Sequence, residues 1–455
     1  MDIASIVFFR IVFGLLIVWT VERLWSYQLI SRWWIDAPFQ FKYPGFSWVN
    51  AWPGNGIYIH WILLGIFALF VAAGFLYRVS AILLFLSYTY FFLLDQGRYV
   101  NHTYLICLFS FLLVFMPVHR AFSIDAWLRP RLRSQTVPAW TVWVLRAQMA
   151  CVYFFAGIAK IAPDWFHGEP MRTWLKINIH FPVFDRFLHQ EWAVYSASYL
   201  SLIVDLFVVP FLLWRRTRIV AFCVAAAFHL LNNQIFPLDI FPWLAIAATT
   251  LFLSPSWPRR LVSFLSRQPS MTPRVEVEPP SLGKQKLILG FVAVYIAIQI
   301  LVPLRHFLHR GGIEWTYMEH RFSWQMMLER PMTYPFFYVT DPNTGREIQI
   351  PAERYLDVPQ LFHMGWRPDM VWQFAHFLGT TLPQRGSRPL QVQVRMLVSI
   401  NGRKPRLFLD PTVDLMAASR PRGRPPWLLE IHEPLPSPGQ DFSRDPFGGA
   451  FNGEN

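Results

Sequence analysis

Charged residues are scarce in this chain. Asp, Glu, Lys and Arg together make up 15% of its 455 residues, whereas hydrophobic residues make up 54%. A soluble globular domain carries about 25% charged residues, so this composition excludes an ordinary soluble protein. Apolar stretches long enough to cross a bilayer recur through the first two thirds of the chain. They lie roughly at 5–27, 57–78, 80–97, 102–117, 139–162, 193–214, 218–236, 238–254 and 287–305. The sequence therefore predicts a mainly α fold, a polytopic membrane helical bundle of about nine spans.

Cysteine is also rare. The three cysteines, Cys107, Cys151 and Cys223, all fall within predicted spans, so no disulfide framework is indicated. The sequence has no Gly-rich phosphate loop, serine nucleophile elbow, CxxC pair or set of metal-binding residues at a typical spacing. We therefore expect no bound metal and exclude a nucleotide-driven enzyme.

Acidic residues are fewer than basic ones, 28 against 41, which gives a net charge of +13. A positive excess can indicate nucleic-acid binding, but its distribution here indicates membrane topology instead. Arginines are concentrated at 129–133, 215–218 and 259–274, in loops that lie on the same side as the N-terminus. The positive-inside rule then predicts a cytoplasmic N-terminus and, with nine spans, a C-terminal portion outside. No nucleic-acid partner is expected.

The character of the chain changes after Arg305, where hydropathy falls. We expect a multi-pass transmembrane domain over residues 1–308 and an extracytoplasmic mixed α/β domain over 309–432. Pro, Gly, Ser and Asn dominate residues 433–455, which predicts a disordered tail. Residues 266–284 are similarly poor in apolar side chains and are interpreted as a linker.

Two β-hairpins are predicted in the second domain. The first joins 336–340 to 346–350, and the second joins 392–400 to 406–409 through Asn401-Gly402, which suits the positive φ angles of a tight turn. Residues 368–378 between them have a helical pattern. Together these elements predict a small α+β domain.

Lys160 is the most informative polar residue in the predicted spans, because it stands near the end of the fifth. An amine at that depth loses its hydration, so it either pairs with an anionic or hydrogen-bonding group or becomes neutral. A neutral lysine can act as a base. The alternative is an interfacial lysine whose amine extends to the lipid headgroups.

Other polar residues lie at a similar depth. In the predicted topology, Asn101 and His102 begin the fourth span near the outer face, and His229 and Asn233 lie in the outer half of the seventh. Such a convergence with Lys160 predicts a buried proton-transfer site. The alternative is that these side chains only form hydrogen bonds between helices.

Two further charged residues, Arg146 and Asp205, lie deeper in the fifth and sixth spans. Because neither is at the level of the cluster, they are interpreted as a structural ion pair with each other. Arg10 in the first span is either paired or functional, and the sequence leaves both possibilities open.

Five colinear blocks between about residues 4 and 418 carry a resemblance to a known family. The blocks are 101–105, 138–168, 228–236, 315–327 and 398–414. They resemble the vitamin K-dependent γ-glutamyl carboxylase family, within the wider horizontally transferred transmembrane domain family. A short bacterial-type member of that family is expected.

The resemblance implies a mechanism. Lys160 would deprotonate a reduced naphthoquinone, whose reaction with O2 yields a strong base. That base would remove a γ-hydrogen from glutamate. CO2 would then add to the glutamate carbanion, and the quinol would leave as its epoxide. Asn101 and His102 would be catalytic with Lys160, orienting the oxygenated quinol. His229, Asn233 and Tyr153 would bind the quinol.

The glutamate-binding part of the family corresponds to a stretch in which His320, Ser323 and Trp324 are the expected substrate-binding residues. His320 stands where the family has a tyrosine, and Glu329 and Pro331 stand where it has a histidine and an arginine. The loss of cationic groups leaves an alternative: a quinol epoxidase or oxygenase that carboxylates no glutamate. A third alternative is a non-catalytic membrane module that binds a lipid or a partner.

The resemblance also implies the reaction partners. They are reduced vitamin K, as phylloquinol or menaquinol, with O2 and CO2 as co-substrates, a glutamate-containing protein or peptide, a quinone-reducing enzyme and the lipid bilayer. The expected location is a bacterial cytoplasmic membrane; in a eukaryote the C-terminal domain would instead face the reticulum lumen.

Overall fold

The fold was obtained as a computed structural model, which describes residues 1–178, 185–188, 190–236, 238–266, 281–305, 320–384, 387–421, 423–437 and 442. Its α-helices are α1 Ala4–Ser26, α2 Gly56–Ala73, α3 Tyr77–Leu94, α4 Asn101–Phe115, α5 Ile124–Leu128, α6 Ala139–Ala159, α7 Pro163–Phe166, α8 Met171–Asn178, α9 Asp185–Leu188, α10 Glu191–Leu213, α11 Arg218–Ile235, α12 Phe241–Thr249, α13 Trp257–Ser266, α14 Leu282–Leu304, α15 Val358–Met364 and α16 Pro368–Thr381. The mainly α prediction is confirmed.

Seven of these helices are long and apolar enough to cross a bilayer. They are α1, α2, α3, α6, α10, α11 and α14, each of 18 to 23 residues. The two remaining predicted spans contain shorter apolar helices, α4 and α12, the latter continuing through a 3-10 turn to Phe252. Each predicted span therefore contains an apolar helix, and the chain is an integral membrane protein. The three cysteines lie in α4, α6 and α11 and are free, as expected.

Helices α6 and α10 approach each other closely at Gly157. A Cβ atom at this position would lie 3.1 Å from the backbone nitrogen of Leu206 and 2.7 Å from its Cδ2. Only glycine leaves room for this backbone separation, because protein interiors are close-packed. The contact brings the middle of α10 against the C-terminal half of α6.

Two buried arginines of the membrane part, Arg10 and Arg146, bind backbone carbonyls. Arg10 donates from Nη1 to the carbonyl oxygen of Val118 at 2.8 Å and from Nη2 to that of Phe122. Arg146 donates to the carbonyl oxygens of Leu251 at 2.8 Å and Leu253 at 3.3 Å, where the last turn after α12 ends. The expected ion pair between Arg146 and Asp205 is therefore wrong. Both arginines satisfy carbonyls at chain turns that would otherwise be buried without a donor.

The C-terminal part forms a four-stranded antiparallel sheet of order β2-β1-β3-β4. The strands are β1 Pro331–Asp341, β2 Arg346–Ile350, β3 Gln391–Ile400 and β4 Arg406–Leu407. Asn401 and Gly402 have φ angles of 53° and 76°, as the β3–β4 turn requires. Both predicted hairpins are confirmed, and the predicted helix is α16, whose Phe374 packs edge-on against Phe337 of β1.

The loop that follows α1 joins the two parts of the chain. Phe41 from this loop is fully buried in the core of the C-terminal part. Polar contacts reinforce the junction: Gln360 donates to Asp95 at 2.8 Å, and Gln96 donates to Asp369 at 3.0 Å. The sheet and its helices are therefore held against the ends of α3 and α4, where the candidate site lies.

Two predictions fall largely on residues that the structure does not describe. The linker expected over 266–284 lies outside the described residues from 267 to 280. The disordered tail expected over 433–455 lies outside them after residue 437, except for Phe442. The division of the chain at 308 and 432 remains a prediction.

Candidate functional site

Lys160 lies inside the protein, at the C-terminal end of α6. Lys160 is only 6% exposed. Its Nζ donates to Oδ2 of Asp205 at 2.7 Å and to the carbonyl oxygen of Ala156 at 3.3 Å. Because Ala156 is one turn back along α6, the amine points into the bundle. The indole ring of Trp165 closes the site, with its centroid 5.3 Å from Nζ. This geometry contradicts the alternative of an amine that extends to the headgroups.

Asp205 was not expected at this site. It is 5% exposed and lies on α10 next to the Gly157 contact, which brings its carboxylate to the lysine. A buried amine and a buried carboxylate stabilise each other's charged forms, and both are costly without the partner. The signal in the sequence was Asp205 itself, an acidic residue in a long apolar span.

A second group of polar side chains lies on the same face of α6, two turns before Lys160. Tyr153 forms a 2.7 Å hydrogen bond through its hydroxyl to Nε2 of His229 on α11. The hydroxyl is also 3.2 Å from Oγ1 of Thr249, which donates to the carbonyl oxygen of Ala245. Two of the predicted quinol-binding residues are thus in direct contact. Thr249 was missed, because a threonine in an apolar helix carries no distinct sequence signal.

Aromatic contacts extend this group to α4. The ring of Phe241 lies edge-on to His229, with centroids 5.6 Å apart, and stacks on His102, with centroids 6.2 Å apart. His102 and His229 therefore face the same phenylalanine. Asn233 lies one turn beyond His229 on α11 and is partly buried; no hydrogen bond of its side chain to another described residue is found.

Asn101 links the start of α4 to the segment around residue 322. Its Nδ2 donates to the carbonyl oxygen of Gln325 at 3.1 Å, and its Oδ1 accepts from the Tyr99 hydroxyl at 3.0 Å. The same hydroxyl accepts from the backbone N–H of Phe322 at 2.7 Å. Asn101 thus holds the expected glutamate-binding segment against the membrane helices.

His320, Ser323 and Trp324 are all buried, with residue exposures of 7%, 2% and 1%. The Trp324 ring stacks on that of Tyr104, one turn into α4, with centroids 5.2 Å apart. Trp324 has a φ angle of 60°, and Phe322 and Met327 beside it also have positive values. Bulky residues rarely adopt this conformation, and such strain is concentrated at functional sites. The segment around Trp324 therefore has a tightly constrained backbone, and it lies beside Asn101.

The C-terminal sheet is fastened close to Lys160. Asp164, four residues after Lys160, accepts two hydrogen bonds from the Arg403 guanidinium at 2.6 and 2.8 Å. It also accepts one from Nδ2 of Asn401 at 2.7 Å. Two of the sequence blocks that carry the family resemblance, around residues 164 and 401, are therefore in contact with each other.

Several of the predicted site residues are linked to one another. His102 stacks on Phe241, Phe241 lies against His229, and His229 is hydrogen-bonded to Tyr153. Asn101 precedes His102 at the start of α4, and α6 carries Tyr153 and Lys160 on one face. The described residues contain no group of three or more His, Cys, Asp or Glu side chains that could hold a metal ion. The arrangement places a buried amine beside a carboxylate and two histidines beside an aromatic ring.

Two known protein families match successive parts of the chain. Residues 1–257 match the sequence model of the HTTM domain, more than half of the chain. Residues 284–434 match that of the lumenal domain of vitamin K-dependent gamma-carboxylase. No solved structure matches the chain. With both matches in their expected order, the chain belongs to the vitamin K-dependent gamma-carboxylase family of HTTM-domain membrane proteins.

Proposed function

We propose that this protein couples oxygenation of a reduced naphthoquinone to carboxylation of glutamate in a protein or peptide, with Lys160 as the general base. The observation that carries this proposal is the buried contact between Lys160 and Asp205. In its unprotonated form Lys160 accepts a proton from a bound hydroxyl group, and Asp205 stabilises the ammonium that results, which is the ion-paired state that the structure contains. Trp165 excludes water from the amine.

The residues around Tyr153 fit a bound quinol. Nδ1 of His229 and Nε1 of Trp324 are enclosed and have no hydrogen-bond partner in the described part of the chain, so each could bind a ligand oxygen. Phe241 and Tyr104 supply flat apolar surfaces beside them. When bound, the reduced quinone would supply the reaction with O2 that generates a base strong enough to act on glutamate.

The other site residues bind and orient. Tyr153 holds the His229 ring in one orientation through the bond to Nε2, and His102 is held by stacking on Phe241. Asn101 fixes the segment of Ser323 and Trp324 through the carbonyl of Gln325. In our proposal this segment forms one side of the place where the glutamate side chain enters.

The proposed topology puts the N-terminus in the cytoplasm and the C-terminal sheet outside, in a bacterial cytoplasmic membrane. The concentration of arginines on the N-terminal side supports it. A lipid-borne quinol and an external peptide could then meet at the same site. A cysteine introduced at Ser387 should be labelled by a membrane-impermeant thiol reagent on intact cells, and protection of that cysteine would contradict the topology.

A second function, quinol epoxidation without carboxylation, is favoured by one observation. Glu329 and Pro331 occupy positions where the resemblance implies cationic groups for the glutamate carboxylate. If no other cation replaced them, the enzyme would bind quinol and O2 but not the second substrate.

The two functions are separated by one reaction mixture. The purified protein in lipid discs is supplied with chemically reduced vitamin K, O2, labelled CO2 and a glutamate-containing peptide, beside Lys160→Ala. Labelled peptide and quinone epoxide that both disappear in Lys160→Ala support the carboxylase. Epoxide without labelled peptide supports the second function, and neither product contradicts both.

A further inference from the structure

Two arginines lie at the junction between the membrane helices and the C-terminal sheet. Arg367 immediately precedes α16 and is 5% exposed, and Arg321 belongs to the buried segment of Ser323. Nε and Nη1 of Arg367 and Nη1 of Arg321 are enclosed, and none of the three nitrogens has a hydrogen-bond partner among the residues that the structure describes. The same holds for the enclosed hydroxyl of Tyr43 beside them. Several donors therefore converge without an acceptor from the described residues.

The charges of this cluster do not balance. Oδ2 of Asp369 accepts from Nη2 of Arg321 at 3.1 Å and from Gln96 at 3.0 Å. Arg367 has no ion pair within the described part of the chain. Burial lowers the pKa of Arg367 to about 10; Arg321 acts in the same direction and Asp369 opposes it, and the guanidinium still stays protonated at neutral pH. One carboxylate thus serves two buried guanidiniums. Uncompensated buried charge is unfavourable, so the cluster is suited to an anionic ligand.

The cluster lies next to the candidate catalytic residues. The Arg367 guanidinium is 5.9 Å from the centroid of the Tyr99 ring, and the Tyr99 hydroxyl donates to Asn101. The Arg321 guanidinium is similarly placed 5.8 Å from the Tyr43 ring. One aromatic side chain thus separates Arg367 from Asn101. The N-terminus of the 14-residue helix α16 adds positive potential at the same point.

We propose that Arg367, together with Arg321, binds the carboxylate of the substrate glutamate, an inference that rests on the proposed function. A guanidinium presents two parallel N–H donors that match both oxygens of a carboxylate. The junction between α16 and the membrane helices then supplies the cations that Glu329 and Pro331 do not. The carboxylate would be held on the side of Asn101 that faces the C-terminal sheet.

The test compares two peptides that differ only in glutamate or glutamine. Their binding to the protein in lipid discs is measured without quinol, so that no reaction is needed. We expect the wild-type protein to prefer the glutamate peptide about tenfold or more, and Arg367→Met to lose most of that preference. Arg406→Gln, which removes an equal charge from an exposed arginine of β4, should retain it.

A second variant distinguishes loss of the binding site from misfolding of the protein. Asp369→Asn removes the carboxylate that competes for Arg321, so it should increase the preference for the glutamate peptide, whereas a misfolded protein would bind neither. A preference that survives in Arg367→Met, or a wild-type protein that does not distinguish the peptides, overturns the proposal. Epoxide formation in the wild-type sample tests the proposed function separately.

Discussion

The amine of Lys160 and the carboxylate of Asp205 form an ion pair inside the helix bundle. Their closest atoms, Nζ and Oδ2, are 2.7 Å apart, and the two side chains are 7% and 6% exposed. The pair joins α6 to α10 where Gly157 allows the two helices to touch. Lys160 is thus positioned by a partner 45 residues further along the chain.

The first prediction concerns the pairing of Lys160 with Asp205. Asp205→Leu leaves the lysine buried and unpaired, which should destabilise the protein by about 3–5 kcal/mol. Adding Lys160→Met should cost much less than the sum of the two single changes, because the pair is then removed as a unit. The measurement is thermal unfolding in detergent, as a double-mutant cycle.

Arg146 provides the control for this cycle. It binds carbonyl groups after α12 and not Asp205, so Arg146→Met and Asp205→Leu should be additive within about 0.5 kcal/mol. Additivity of Lys160 with Asp205, or coupling of Arg146 with Asp205, would contradict the observed pairing.

The second prediction concerns helix packing at Gly157. Gly157→Ala should destabilise the protein by about 1–3 kcal/mol and reduce activity, because the new methyl group meets Leu206 and separates Lys160 from Asp205. Gly290→Ala in α14 is the matched control. Apart from its chain neighbours and the backbone of its own helix, no atom of the described residues lies within 4 Å of a Cβ at position 290, so the exchange should be neutral or slightly stabilising. Equal melting temperatures for both variants would be evidence against close packing of α6 and α10.

The third prediction concerns the tether between the C-terminal sheet and the Lys160 end of α6. Asp164→Asn weakens the charged hydrogen bonds to Arg403 and should cost about 2 kcal/mol. Glu433→Gln removes the partner of Arg406, whose side chain is 51% exposed, and should cost less than about 1 kcal/mol. Limited proteolysis of the C-terminal part should accelerate in the first variant only; equal rates would show that the tether is dispensable.

The fourth prediction is a pH dependence. Burial lowers the pKa of His363 well below 6.5, and Arg367 and Arg321 lower it further. Below about pH 6.5 the unfolded chain therefore binds a proton at this histidine, and the folded protein does not. The free energy of unfolding falls as the pH drops, by about 1.4 kcal/mol per pH unit. His363→Gln should lose less stability than wild type between pH 6.5 and 5.

The matched control for the pH experiment is His432→Gln, because the His432 side chain is 89% exposed. Thermal unfolding of this variant should follow the wild-type pH curve. If His363→Gln also follows that curve, burial of a neutral His363 is not a source of acid sensitivity.

Much of the architecture followed from local sequence patterns. Each of the nine predicted apolar stretches contains a helix, seven of them long enough to cross a bilayer, and Asn401-Gly402 identified a hairpin, because each pattern is satisfied within a few neighbouring residues. Polarity inside an apolar span indicated His229. Tyr153, which is 2.7 Å from His229, was indicated only by the family resemblance.

The rest depends on contacts between distant segments. The sequence predicts that Asp205 pairs with Arg146, because depth in the bilayer does not reveal which helices are neighbours. The close contact of α6 and α10 at Gly157 instead places Asp205 beside Lys160. Arg367 lies in a polar part of the sequence, where an arginine is no signal, and its burial without a hydrogen-bond partner among the described residues is a property of the fold. Sequence patterns therefore predicted the elements and several site residues, but not the ion pair or the arginine cluster.

The most direct test of the central claim is the rate of quinone epoxide formation by Lys160→Met in lipid discs, with reduced vitamin K and O2. Methionine retains much of the lysine's volume but no basic group, and the Lys160→Met/Asp205→Leu protein serves as a folded reference. We predict a loss of about 10²–10⁴-fold relative to wild type, with glutamate carboxylation lost in parallel. Epoxide formation at the wild-type rate in Lys160→Met would contradict the assignment of Lys160 as the base.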